Sequence, residues 1–119
     1  MADRPFLQSL SDAADGMARA VREQRNFRIH LIIAAVAIAL AAYLRFAAWR
    51  WAVLAVTIGT VMCAELLNTA LEYALDAFAP QRSDSARSAK HAAAAAVLVA
   101  SIAALAVGAW LYGSALAQR

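Results

Sequence analysis

The sequence is short of the residues that staple or punctuate soluble domains. Cys63 is the single cysteine, which excludes a disulfide scaffold, and it falls inside an apolar run where it reads as a small buried side chain, not a nucleophile. Four glycines and two prolines exclude collagen-like or proline-rich character. Gly16, Gly59, Gly108 and Gly113 fit no GxxxxGK[ST] pattern, so no classical phosphate loop is present, and there is no ligand set for zinc. Charged residues make up only 16% of the chain, against roughly 25% in ordinary globular domains. What fills the space is apolar: 64% of 119 residues, too much for disorder and enough for one domain. The net charge of +3 and the pI near 9.6 suit nucleic acid or the anionic face of a membrane. The charges sit at the ends of long apolar stretches, which decides for the membrane and against nucleic acid.

Three stretches reach the roughly 20 residues that carry a helix across about 30 Å of hydrocarbon. The spacing predicts spans over 29–48, 51–78 and 91–115, the first of them the shortest, with His30 at its edge. The first 28 residues are charged throughout, which fits a cleaved signal peptide poorly. Arg4, Arg19, Arg22, Arg25 and Arg28 precede the first span, and Arg82, Arg87 and Lys90 lie between the second and third. Only Arg45, Arg50 and Arg119 fall on the other side, so the N-terminus and second loop are expected in the cytoplasm. Tyr43, Trp49, Trp51, Trp110 and Tyr112 would then mark the outer interface, with Phe27, Tyr73 and Phe78 at the inner one.

Before the spans, Phe6, Leu10, Ala13, Ala14, Met17 and Val21 recur at helical spacing. They predict an amphipathic surface helix over 5–25, lying on the membrane, packed on the spans, or both. Pro80 should stop the helix before it. In the last span Ala92, Ala96, Ala100, Ala104 and Gly108 repeat every four residues, a seam on which helix backbones can approach closely. Three spans make a thin core, so an oligomer is expected.

The chemistry is concentrated in the middle span. Glu65, Asn68, Glu72 and Asp76 fall at i, i+3, i+7 and i+11, within an arc of about 80° on one helix. Thr69 lies at its margin. An acidic side chain near the bilayer centre costs about 2.5–3.5 kcal/mol, so a stripe of them calls for a use. With the inner interface near Phe78, Glu72 lies about 9 Å and Glu65 about 20 Å along the helix from it. Lys90 and His91 open the third span on that side. The stripe therefore lines a polar cleft entered from the cytoplasm. Paired carboxylates suit Mg²⁺, which normally arrives with phosphates. A lysine suits phosphate, and a desolvated glutamate suits taking a proton from a hydroxyl. Together these parts describe phosphoryl transfer from a nucleotide to a lipid hydroxyl. Two other readings stay open at this point: a structural bundle whose carboxylates are paired or protonated, and a proton- or cation-coupled transporter.

Glu65-Leu66-Leu67-Asn68-Thr69-Ala70-Leu71-Glu72, then Asp76, then Ala89-Lys90, resemble the signature of the prokaryotic diacylglycerol kinase family. Arg25-Asn26-Phe27-Arg28-Ile29-His30 and the stretch from Trp51 to Thr69 are similar to its undecaprenol kinase branch. The resemblance runs from about Gly16 to Gly113. It implies an all-α integral membrane protein of the bacterial inner membrane. Each protomer of a homotrimer would carry an N-terminal amphipathic helix and three transmembrane helices. It implies ATP- and Mg²⁺-dependent phosphorylation of a lipid alcohol, diacylglycerol or undecaprenol. Glu65 would be the general base and touch the lipid together with Asn68. Glu72 would hold Mg²⁺, while Asn68, Asp76, Lys90 and Gly16 would serve the nucleotide. The family's further metal-binding glutamate falls at Gln24, with Glu23 one place earlier. On a continuous helix those two are about 100° apart, so Glu23 could take its place only if the helix rotates or slips. His91 stands where an acid normally follows the lysine, Ala93 where a glycine does, and Gln81 replaces a loop acid. A working kinase with a retuned site and a relative that binds lipid or nucleotide without turnover both fit these changes.

Overall fold

The computed structural model describes residues 5–79 and 83–119, so the expectations that fall on Arg4, Pro80, Gln81 and Arg82 lie outside the described residues. Its four elements are all α-helices: α1 Phe6–Glu23, α2 Arg25–Tyr43, α3 Ala48–Phe78 and α4 Asp84–Ala117. The last three are long and apolar enough to cross a membrane.

The helix ends have local causes. α1 stops at Glu23 because Gln24 turns extended (φ −103°, ψ 109°), and the Arg28 guanidinium donates to the exposed carbonyls of Val21 and Arg22 at 3.0 and 2.9 Å. A cation on the last carbonyls of a helix satisfies unpaired acceptors and meets the negative end of its dipole. The chain therefore breaks between Glu23 and Gln24, and the expected 100° step of a continuous helix does not apply there. α2 starts at Arg25 and ends at Tyr43, where the sequence pattern ran from 29 to 48. The turn through Arg45 ends it, with that residue left-handed at φ 54°. Ala79 is extended (φ −103°, ψ 146°), the backbone favoured before a proline. α4 begins seven residues before the expected span because Ser83 caps it, its Oγ accepting from the Ala86 amide at 3.3 Å.

α4 packs chiefly on α3, and the tightest core lies at the end remote from α1. Ala41, Leu44, Phe46, Leu54 and Leu111 are buried there together, with Trp51 and Tyr112 against them. Phe46 is 4.9 Å from Tyr112 and 6.3 Å from Trp51, and Trp49 is 5.6 Å from Trp110, centroid to centroid. Arg50 threads through this cluster, 4% exposed. It donates to Leu111 O at 2.6 Å, Ser114 Oγ at 2.7 Å and Gln118 Oε1 at 3.1 Å. The Tyr112 hydroxyl donates to Ala37 O at 2.5 Å, joining α4 to α2. At the other end Ala20 and Phe27 are buried where α1 meets α2 and α3. Phe27, expected at the inner interface, is completely enclosed instead.

Within one chain the small-residue stripe of α4 is not a close backbone contact. Ala92 and Ala96 are exposed, and a Cβ added at Gly108 would meet nothing within 4 Å. Ala104 and Gly108 instead border an apolar cleft of about 340 Å³ between α2, α3 and α4. Cys63, read as buried, is exposed on α3. Large apolar side chains such as Ile32, Val36, Val99 and Leu105 are likewise open, as helices that meet hydrocarbon require.

Candidate active site

The polar positions of α3 form one line along the helix. Glu65 is buried at 2% exposure, Thr69 at 5%, Asn68 and Glu72 are half-buried, and Asp76 is exposed. The line thus runs from a buried end at Glu65 and Thr69 to an open end at Asp76. The Asn68 amide Nδ2 donates to Glu72 Oε1 at 3.4 Å. Asn68 Oδ1 and Thr69 Oγ1 are both buried and without a partner.

Each of the other helices brings side chains to this part of α3. From α2, His30 Nε2 lies 3.9 Å from Glu65 Oε2. His30 also lines one end of the apolar cleft, so the buried carboxylate and the cleft meet at this imidazole. From α4, Lys90 Nζ pairs with Asp76 Oδ1. From the end of α1, Glu23 Oε2 accepts from the Tyr73 hydroxyl at 2.6 Å, and Gln24 Nε2 donates to that tyrosine hydroxyl at 3.3 Å. Arg19 Nε donates to both Glu23 oxygens, at 3.0 and 3.1 Å, and its guanidinium lies 5.1 Å from the Tyr73 ring centroid. The Tyr73 hydroxyl, followed by Arg19, holds the Glu23 carboxyl below its ordinary value, and the bonds to Glu23 raise the Arg19 guanidinium above its own.

The expected site residues are therefore divided as follows. Glu65, Asn68, Glu72 and Asp76 share a line, and Lys90 joins it at Asp76. Glu23 and Gln24 both arrive, through Tyr73, one residue beyond Glu72. Gly16 is exposed on α1 with open space about its Cα, His91 is exposed, and Ala93 is half-buried. Three contributors escaped the sequence reading. Tyr73 and His30 looked like interface markers, and Arg19 counted only as a charge. The aromatic directly after Glu72 was the available signal for Tyr73, because it puts a hydroxyl beside the carboxylate line.

Among the described residues no three His, Cys, Asp or Glu side chains converge on one point. Mg²⁺ does not require that: it takes one or two carboxylates and completes its shell with substrate phosphates and water. Glu72 with the unpartnered Asn68 Oδ1 is a hard-oxygen pair of that type. The Glu23 carboxylate, by contrast, is already engaged with Arg19 and Tyr73.

Three apolar helices of spanning length, with a buried-to-open line of carboxylates and a lysine at its open end, define an integral membrane protein with a polar line along its middle span. Comparison with known proteins gives the family. Residues 11–112 match the prokaryotic diacylglycerol kinase family. The chain is 45% identical over 104 residues to a diacylglycerol kinase of Synechocystis sp. (strain ATCC 27184 / PCC 6803 / Kazusa), covering 87% of this chain and 59% of that protein. It is 30% identical over 103 residues to an undecaprenol kinase of Bacillus subtilis (strain 168), covering 87% of this chain and 84% of that one. The protein belongs to the prokaryotic diacylglycerol kinase family, a family of lipid kinases. It spans about three fifths of the length of the Synechocystis relative.

Proposed function

We propose that the protein transfers the terminal phosphoryl group of Mg²⁺-bound ATP to the hydroxyl of a membrane lipid alcohol, diacylglycerol or undecaprenol. The reaction takes place at the cytoplasmic face of the bacterial inner membrane, with the N-terminus on that side, and the working unit is a homotrimer. The single observation that carries this reading is the gradient along α3. A carboxylate buried at 2% exposure begins it, and an ion pair open to water, Lys90 with Asp76, ends it. The relatives' names supply the class of acceptor.

The residues divide the work by depth. Glu65 accepts the proton of the lipid hydroxyl as that oxygen attacks phosphorus. His30 stands beside it, at the point where the apolar cleft could receive hydrocarbon. Lys90 and Asp76 bind at the nucleotide end, Lys90 releasing its carboxylate to meet phosphate oxygens, while Gly16 on α1 leaves room for the nucleotide. Glu72 and Asn68 would hold Mg²⁺, which when bound neutralises charge on the phosphates. Glu23 and Gln24 anchor α1 against Tyr73 and so close the side of the site. Catalysis of this kind rests on positioning and charge stabilisation.

The test is transfer of radiolabelled phosphate from Mg-ATP by the purified protein in mixed micelles, with each lipid offered separately. Labelled lipid is expected from the wild type and not from Glu65→Gln. A second reading has its own observation, the engagement of Glu23 by Arg19 and Tyr73 where the family keeps a metal ligand. A relative that binds without turnover would give no label with either lipid while still binding nucleotide.

A further inference from the structure

We infer that Thr69 supplies a hydrogen bond to the phosphoryl group during transfer, which makes it a further catalytic residue of the site. This rests on the kinase reading above and adds a contact to it.

Threonine inside a helix normally satisfies its hydroxyl by donating to the carbonyl four residues back. The other two threonines of α3 do so: Thr57 Oγ1 donates to Val53 O at 2.7 Å and Thr60 Oγ1 to Val56 O at 2.8 Å. Thr57 lines the apolar cleft and Thr60 is exposed. Thr69 departs from this habit although it is more deeply buried than either, with 5% exposure and a hydroxyl that has no partner. Burying a hydroxyl without a hydrogen bond is unfavourable, and a back-bond of the Thr57 type was open to it. A hydroxyl left unpaired against that preference is one reserved for a partner that arrives.

Its position says which partner. Taking Glu65 as the origin, Glu72 lies about 20° to one side along α3, Asn68 about 60° to that same side, and Thr69 about 40° to the other. Asn68 and Thr69 therefore flank the line between the base and the carboxylate expected to face the phosphates. Each has an unpaired oxygen. In height Thr69 is about 6 Å from Glu65 and about 4.5 Å from Glu72. A phosphoryl group passing from the nucleotide end to an alcohol oxygen at Glu65 must cross this interval. Negative charge is spread over its three non-bridging oxygens in the transition state. A neutral hydroxyl donor there stabilises that charge and takes no proton from the reaction. The bond that forms remains alcohol oxygen to phosphorus, and the bond that breaks remains phosphorus to the nucleotide's bridging oxygen.

Thr69→Val keeps the shape and removes the hydroxyl, and Thr69→Ser keeps the hydroxyl and removes the methyl. Both are assayed with wild type and Glu65→Gln in micelles containing the lipid that the wild type phosphorylates, alongside the thermal midpoint of each protein. Thr69→Val is expected to lower kcat by about 10- to 100-fold with KM for ATP and for lipid unchanged, the mark of a contact made in the transition state. Its thermal midpoint should equal or exceed that of the wild type, because no hydrogen bond is lost. Thr69→Ser should recover most of kcat. Wild-type turnover in Thr69→Val would overturn the inference and leave the kinase reading intact, as would a loss that serine fails to restore. So would a change confined to KM for lipid, which would make Thr69 a ground-state contact. A thermal midpoint of Thr69→Val well below wild type would show that the hydroxyl has a structural partner. Absence of transfer by the wild type would overturn both readings.

Discussion

Among the described residues Arg50 makes no ion pair with a carboxylate, and its hydrogen-bond partners are uncharged. The structure nevertheless buries its guanidinium. The acceptors are the C-terminal turns of α4, whose dipole is negative at that end, and the faces of Trp49 and Phe46, with centroids 4.6 and 5.7 Å from Cζ. The consequence of replacing it can be worked out. Hydrogen bonds from a charged donor contribute about 1.5–3 kcal/mol each. Two of the three count in full, those to Leu111 O and Ser114 Oγ, whereas Gln118 is exposed. The Trp49 contact adds about 0.5–1 kcal/mol, since that ring is half exposed. Against these stands the cost of keeping a guanidinium from water, several kcal/mol, which a methionine does not bear. The acceptors would not be stranded, since Ser114 Oγ also donates to Trp110 O at 2.6 Å and Leu111 O belongs to the helix ladder.

The net loss expected for Arg50→Met is therefore about 2 kcal/mol, and Arg50→Lys should fall between it and the wild type. An ammonium keeps the charge but cannot span two acceptors as the planar fork does. Titration of the purified protein in mixed micelles with a denaturing detergent, followed by circular dichroism, measures the difference. Turnover below the unfolding range should not change, because Arg50 lies about 22 Å along α3 from Glu65. An Arg50→Met protein as stable as the wild type, or more so, would refute the reasoning. It would mean that desolvation cancels what the α4 carbonyls and the aromatic faces return.

Three further outcomes are expected. Arg45 adopts φ 54° between α2 and α3, so Arg45→Gly should raise stability by about 0.5–1 kcal/mol in the same titration, the relief of a left-handed backbone less the extra freedom of an unfolded glycine. The Glu23 carboxyl is held below its ordinary value of 4.5, so its contribution to docking α1 is fully present above that pH and is lost as the pH falls below it. Amide-exchange protection of α1 should decline across that acidic window in the wild type and much less in Tyr73→Phe. Finally, Glu72→Gln should raise the Mg²⁺ concentration needed for half-maximal transfer by about 10- to 100-fold, while Glu23→Gln shifts it less than about threefold. The reverse ranking would return the metal to Glu23.

The sequence made the helices and the carboxylate line legible because both are periodic properties of single segments. Uninterrupted apolar length determines a span-sized helix, and a spacing of three and four determines which side chains share a face. Boundaries followed a different physics. The end of α1 depends on Arg28 folding back onto Val21 and Arg22, and the start of α4 on Ser83, both polar details beside the hydropathy signal. Counting Arg50 among three charges on one side was arithmetically right but said nothing of its burial. That follows from the meeting of α3 with the far end of α4, 61 positions along the chain.

The same distinction governs the site. Residues on α3 could be placed relative to one another from number alone, whereas contacts between helices could not. His30 reaches Glu65 across 35 positions, and Glu23 reaches Tyr73 across 50. The displaced acid at Glu23 shows what is at stake. On a continuous helix Glu23 and Gln24 would point about 100° apart and only one could face α3. Because the helix ends between them, both side chains meet a single hydroxyl, and the carboxylate does so with its charge already balanced by Arg19. One residue of displacement therefore sets an acid in contact with Tyr73 and Arg19 at the end of α1. In the proposed site the metal would rest on Glu72 and the unpaired oxygen of Asn68, four places before it on the same helix.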